Sequence, residues 1–239
     1  MIFKSVRLAI AAFFLAALVV ACNSAPQSQE AETKEEVVVN TEEQKATAQE
    51  FAIDPQVSTV TWIGTKPTGQ HDGTIGIKEG KIYVENNQVT GGKIVIDMNS
   101  IVVKDITDEK SNADLVGHLK GADFFNAEQY PTATFEIASV EPISGEVKLE
   151  GEHNTQNPTH KVTGNLTILD KTNSITFYAN LSAAADGASG SAKFNIDRTN
   201  WGIVYKSEGD KSLGDKFIHN KINLGFEFKT QASATANAQ

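Results

Sequence analysis

The 239-residue chain has little sulfur and little positive charge: one cysteine, Cys22, two methionines, and 21 Lys and Arg against 30 Asp and Glu, for a formal net charge of −9. A single cysteine excludes an intrachain disulfide, so stability has to come from core burial, and the length supplies enough for one domain. The acidic balance works against nucleic acid as a partner and against electrostatic docking on anionic lipid. No HExxH, GxSxG, P-loop or GxGxxG pattern occurs. The five histidines, His71, His118, His153, His160 and His219, never pair at i+2 or i+4, so dedicated metal spacing is missing, although His153 and His160 share one polar loop region. These absences predict no catalytic residue, no metal, no cofactor and a protein that is not an enzyme.

The one long apolar run is residues 8–21, preceded by Lys4 and Arg7 and ending Val19-Val20-Ala21-Cys22. It is short for a transmembrane helix, which needs about 20 residues, and it has the layout of a signal peptide, residues 1–21. The box before Cys22 resembles a bacterial lipobox, which implies cleavage there and a diacylglyceryl thioether on Cys22. A plain secretory signal with an incidental cysteine is the alternative. The chain is therefore expected in the bacterial cell envelope, lipid-anchored, on the periplasmic side or the cell surface, with its acyl chains supplying membrane attachment. Residues 22–50 are mostly Gln, Glu, Ser, Ala, Thr and Lys apart from Val37 to Val39, and predict a disordered tether. Residues 231–239 predict a flexible tail.

Between residues 51 and 230 the apolar positions alternate with period two, broken by Gly, Asn and Asp clusters. Examples are Ala133, Phe135 and Ile137, then Ile175, Phe177, Ala179 and Leu181, then Ile222, Leu224, Phe226 and Phe228. About eight to ten antiparallel strands are predicted, and the lack of a charged edge strand favours a closed barrel over a sandwich. One stretch departs from the pattern. In residues 112–137 Leu115, His118 and Leu119 fall on one helical face, with Asn112 or Asp114 as a candidate cap and Gly121 as a stop. Phe124-Phe125 forms an apolar plug after it, and Tyr130-Pro131 returns the chain to strand.

That stretch also carries a resemblance. His118-Leu-Lys-Gly-Ala-Asp-Phe-Phe125 followed by Tyr130-Pro-Thr-Ala-Thr-Phe135, then residues 161–168, then Phe194-Asn-Ile-Asp-Arg-Thr-Asn-Trp-Gly-Ile203 and Gly214-Asp-Lys216, resemble the YceI-like family in order. The resemblance covers residues 51–230. It implies an all-β domain, an eight-stranded antiparallel lipocalin-like barrel with one or two short helices, whose elongated apolar interior accepts an isoprenoid or other amphiphilic lipid. Family members are often simple secreted proteins, whereas this chain carries a lipobox. The polar segment 151–159 also looks longer than a tight hairpin needs.

On parity the large residues expected to line such a cavity and bind ligand are Trp62, Phe135, Leu166, Phe177, Phe194 and Phe226, with Phe124 and Phe125 as a lid or, equally, as a staple of helix to barrel. Simple side-chain packing is the competing reading of the same residues. Asp197 and Arg198 point to opposite faces; one would meet a head group at the rim, or either would form a rim salt bridge. The function expected is sequestration or carriage of a polyprenol or quinone tail. A ligand-free stress or scaffold protein is the alternative, and an enzyme on a lipid head group using His160 or His219 as base is a weaker one. A homodimer stays open.

Overall fold

Alternating apolar residues need one shared interior, and in the computed structural model, which describes residues 25–232, they find it inside a closed barrel. The expected signal peptide, Cys22 and most of the expected tail lie outside the described residues. In chain order the elements are β1 (Glu32–Lys34), α1 (Thr41–Thr47), β2 (Gln49–Ala52), β3 (Thr59–Lys66), β4 (Gly69–Glu85), β5 (Gln88–Asp97), β6 (Val102–Val103), α2 (Glu109–Lys120), β7 (Thr132–Pro142), β8 (His160–Ile168), β9 (Lys171–Ala184), β10 (Gly187–Asp197) and β11 (Lys221–Lys229). Eight long strands pair antiparallel in the order β3-β4-β5-β7-β8-β9-β10-β11, and β11 returns to β3, closing the barrel. Strands β1, β2 and β6 are short additions. Closure removes the edges that an open sheet of this size would expose.

The interior follows the predicted parity. Ala133, Phe135 and Ile137 of β7 and Val162, Leu166 and Ile168 of β8 are all buried. Turn chemistry sets the connections: Asn86 and Asn87 both have positive φ, 51° and 59°, and join β4 to β5 in a two-residue hairpin. Two glycines let aromatic rings lie flat on neighbouring strands. A Cβ on Gly164 would sit 2.6 Å from the Phe135 ring, and one on Gly73 would sit 1.9 Å from the Val102 carbonyl oxygen and 2.8 Å from the Trp62 indole.

Helix α2 starts one turn earlier than the sequence suggests. Asp108, not Asn112 or Asp114, is the N-cap, accepting from the Ser111 amide at 2.9 Å and from its hydroxyl at 2.7 Å. Gly121 ends the helix as expected. Asn112 instead points back, donating to the carbonyls of Val103 and Ile106, both at 2.9 Å. Among the described residues no helix is long and apolar enough to cross a membrane.

The expected tether is the main correction. Residues 25–50 lie along the barrel as an ordered strap rather than as a free spacer. Direct pairing between β9 and β10 stops at Ala179 and Ala192, and the strap enters where these strands part. There β1 pairs with β9 at residues 174–176, and Glu30 bridges Asn195 of β10. Gln29 spans the seam with one side chain: its Nε2 donates to Lys193 O of β10 and to Tyr178 O of β9, while its Oε1 accepts from the Tyr178 amide. Ala31 is buried at 3% exposure, and Asn165 exchanges two hydrogen bonds with the Val37 backbone. Composition did not reveal this because the strap is held by backbone and amide hydrogen bonds, with very little apolar burial of its own. The long polar segment 151–159 completes the seam: buried Thr155 donates to Tyr178 O at 2.9 Å and accepts from the Lys193 amide at 2.9 Å.

Candidate functional site

The barrel interior is divided into two halves. On one side aromatic rings fill it: Phe135, Phe177 and Phe194 pack in a row, with centroids 5.6 Å and 4.1 Å apart. Toward α2 the interior is open, forming a cavity of about 240 Å³. Its walls are Val60 and Trp62 of β3, Ile75, Ile96, Ala133, Leu166 and Ile168, Ile196 of β10, and Ile222 and Leu224 of β11. Leu115, His118 and Leu119 of α2 and the Phe124-Phe125 plug cover it. The volume falls just below the roughly 300–1,000 Å³ common for small-molecule sites.

Of the six residues expected to line a cavity, Trp62 and Leu166 do. Phe135, Phe177 and Phe194 have the expected inward parity but do not border the cavity, although Phe135 and Phe194 pair directly with its wall residues Leu166 and Leu224; the three rings pack on one another beside it. Phe226 packs on Phe228, with centroids 5.7 Å apart, and borders a second, polar hollow of about 370 Å³ under residues 154–156. Parity shows which way a side chain points but not how far along the barrel it sits. The parity rule on large residues does not pick out the smaller aliphatics of the same strands, Val60, Ile75, Ile96, Ile196, Ile222 and Leu224, which line the cavity and leave room because they are not aromatic rings.

Phe124 and Phe125 both border the cavity. Phe124 is also a staple, since its ring meets His118 edge-on at 5.1 Å and Tyr205 at 5.5 Å, joining α2 to the loop before β11. The cavity end is anchored by the Asp197–Trp201 turn. Asp197 caps it by accepting from the Thr199 amide, and Trp201, with no solvent exposure, donates its indole N–H to Leu166 O at 2.9 Å.

Arg198 corrects the rim expectation. It is buried at 3% exposure and makes no salt bridge among the described residues. Its guanidinium instead donates to the carbonyls of Ile203, Tyr205, Ile218 and His219, at 2.6, 3.0, 3.1 and 3.3 Å, pinning both ends of the 203–219 loop over the cavity. Burial lowers its pKa from the usual guanidinium value, opposed by Asp197 and Glu208.

His71 and His118 are the histidines at the cavity. His71 Nδ1 lies 2.8 Å from Asp105, which also accepts from the Asp72 amide at 3.0 Å. Burial alone would raise the Asp105 pKa; the His71 and Asp72 hydrogen bonds outweigh it and hold the carboxyl below its usual value. His219 is paired with Glu208, and His160 sits at the start of β8 beside Thr159; neither borders the cavity. Among the described residues no group of three or more His, Cys, Asp and Glu is placed to hold a metal ion.

Sequence comparison adds the decisive observation: the profile of the YceI-like domain matches residues 51–230, three quarters of the chain. The chain belongs to the YceI-like family. Its YceI-like barrel is similar to that of BcnA from Burkholderia cenocepacia, with 19% identity, a TM-score of 0.52, and coverage of 74% of this chain and 98% of that one. It is also similar to a polyisoprenoid binding domain from Saccharophagus degradans implicated in plant cell wall breakdown, with 14% identity, a TM-score of 0.51, and coverage of 77% and 98%. At these identities the likeness shows the fold. No curated protein matches the chain. The strap, residues 25–50, lies outside the matched YceI-like region.

Proposed function

We propose that this YceI-like protein binds an isoprenoid-type amphiphile, a polyprenol or quinone tail, in the cavity beneath α2, and sequesters or carries it within the bacterial envelope. The observation that carries this reading is the cavity itself: an interior lined by aliphatic side chains on one side of a closed barrel whose other side is packed with aromatic rings. The similarity to a polyisoprenoid binding domain supports the ligand class. The driving force is apolar burial, about 0.8 kcal/mol per methylene, so a few isoprene units support micromolar binding after association costs. The cavity size suits a short prenyl segment, with any remaining tail leaving past α2.

In the same reading Cys22 carries the lipid anchor. Because the strap is already held to the barrel at Pro26, whose carbonyl accepts from the Asn195 side chain at 2.8 Å, only three residues separate the anchor from the fold. At about 3.3–3.6 Å per residue the barrel would stay within roughly 15 Å of the membrane surface. Cargo transfer would then be local, between the bilayer and a barrel held against it.

Trp62 supplies the test, since it borders the cavity while Trp201, the other tryptophan, is fully buried in the wall. Titration with farnesol is expected to change tryptophan emission saturably in the natural protein and not in W62F. No saturable change, with no farnesol retained after gel filtration, counts against the reading.

A further inference from the structure

The cavity is apolar but not uniformly so, and its polar atoms gather at one end. Thr65 and Lys66 close β3, His71 follows the β3–β4 hairpin opposite Gly64, and Arg198 opens the turn after β10. Two of the buried polar atoms there lack a partner. The Trp62 indole nitrogen and the Thr65 hydroxyl oxygen find no hydrogen-bond partner among the described residues, and Thr65 is only 2% exposed.

Leaving a buried donor unsatisfied costs on the order of 1–3 kcal/mol, and such groups are uncommon. On the regular register of β3 Trp62 shares the inward face with Val60, while Thr65 falls on the opposite face, so the indole N–H is the orphaned donor aimed into the cavity. It is not there for want of an apolar substitute, since phenylalanine would keep an aromatic ring on Gly73. Arg198 stands at the same cavity with its N–H groups committed to carbonyls and without a salt bridge among the described residues, its charge only partly offset by Asp197 and Glu208, so its field at this end favours an electron-rich atom.

Resting on the isoprenoid reading above, we propose that Trp62 Nε1 is the head-group donor of this cavity, hydrogen-bonding to an oxygen acceptor, a carbonyl or hydroxyl, on the prenyl ligand. The ligand lies with its oxygen toward the β3–β4 hairpin and its hydrocarbon along Ile75, Leu166, Ile196 and Leu224. Pure hydrocarbons leave the indole N–H unpaired and are discriminated against. This gives an apolar site selectivity for one end of its cargo, because a donor left unpaired penalises the ligand that lacks an acceptor.

The test compares farnesylacetone, a prenyl ketone, with farnesene, a prenyl hydrocarbon. The ketone-to-hydrocarbon affinity ratio is expected to fall about tenfold in W62F, the loss of roughly one net hydrogen bond, and to be kept in T65V, whose hydroxyl lies on the other face of β3. In the natural protein the infrared carbonyl stretch of bound farnesylacetone is expected at lower frequency than in alkane solvent. A ratio unmoved in W62F, or a bound carbonyl at its alkane frequency, overturns the head-group donor while leaving isoprenoid binding intact. Uptake of neither probe by the natural protein overturns the binding reading and the head-group donor with it.

Discussion

Phe177 and Phe194 stack with centroids 4.1 Å apart and planes 19° from parallel, reaching toward each other from β9 and β10 just beyond the point where the direct pairing of those strands ends. The stack does two things at once. It fills the barrel at the level of the splayed seam, and with Phe135 it marks where the cavity stops.

Shortening that stack should therefore trade stability for room. F177A is expected to lower stability by about 3–5 kcal/mol, the usual cost of removing a buried ring. It should also shift the relative affinity of geranylgeranylacetone over farnesylacetone toward the longer chain. Chemical denaturation and competition binding on the same preparation check both, and a destabilised variant with unchanged chain preference would show that the rings do not limit ligand length.

The strap makes a separate prediction at Gln29, whose amide bridges both sides of the seam. Q29A should cost about 1–3 kcal/mol, because it leaves Tyr178 and Lys193 backbone groups without that partner. Hydrogen exchange should quicken at the Tyr178 and Asn195 amides first. Unchanged exchange there would mean that Thr155 and the backbone pairing of residues 29–31 hold the seam alone.

How far these features could be read in advance follows from the kind of force behind each. The barrel was legible because burial on one face imposes period two, and β7, β8 and β11 show it residue by residue. Phe124 and Phe125, singled out as a plug, do border the cavity, and Phe124 also packs on His118 and Tyr205. The position of the cavity along the barrel was not legible, since Phe135 and Leu166 share parity and pairing register yet only Leu166 borders open space. The strap was illegible for a different reason, as Gln29, Asn165 and Thr155 act through hydrogen bonds between distant segments that no local composition records.

Arg198 makes a prediction about the loop over the site. R198M removes donors from four buried or half-buried carbonyls and R198K can reach only part of that fan, so neither is a conservative change. A loss of about 3 kcal/mol or more is expected for R198M, with hydrogen exchange rising across residues 203–219 before the barrel strands. Uniform exchange through the domain would contradict a local clamp.

Asp105 sets a pH dependence. Its folded pKa lies below the unfolded value, so its ionised form contributes stability that is fully present above the ordinary carboxylate range, about pH 4, and is lost as pH falls through the folded value. The difference in Tm between the natural protein and D105N should be steady from about pH 5 to 7 and shrink below about pH 4. A difference that persists undiminished in acid would assign the effect to hydrogen-bond shape and not to charge.

The most direct test of the account is to purify the protein gently from the cells that make it, extract it with organic solvent and weigh what is released by mass spectrometry. An isoprenoid compound bearing an oxygen, close to one per protein molecule and absent from a cavity-filling A133F variant of equal fold, is the predicted result. Protein that releases no lipid and takes up neither farnesol nor farnesylacetone when they are added would contradict it.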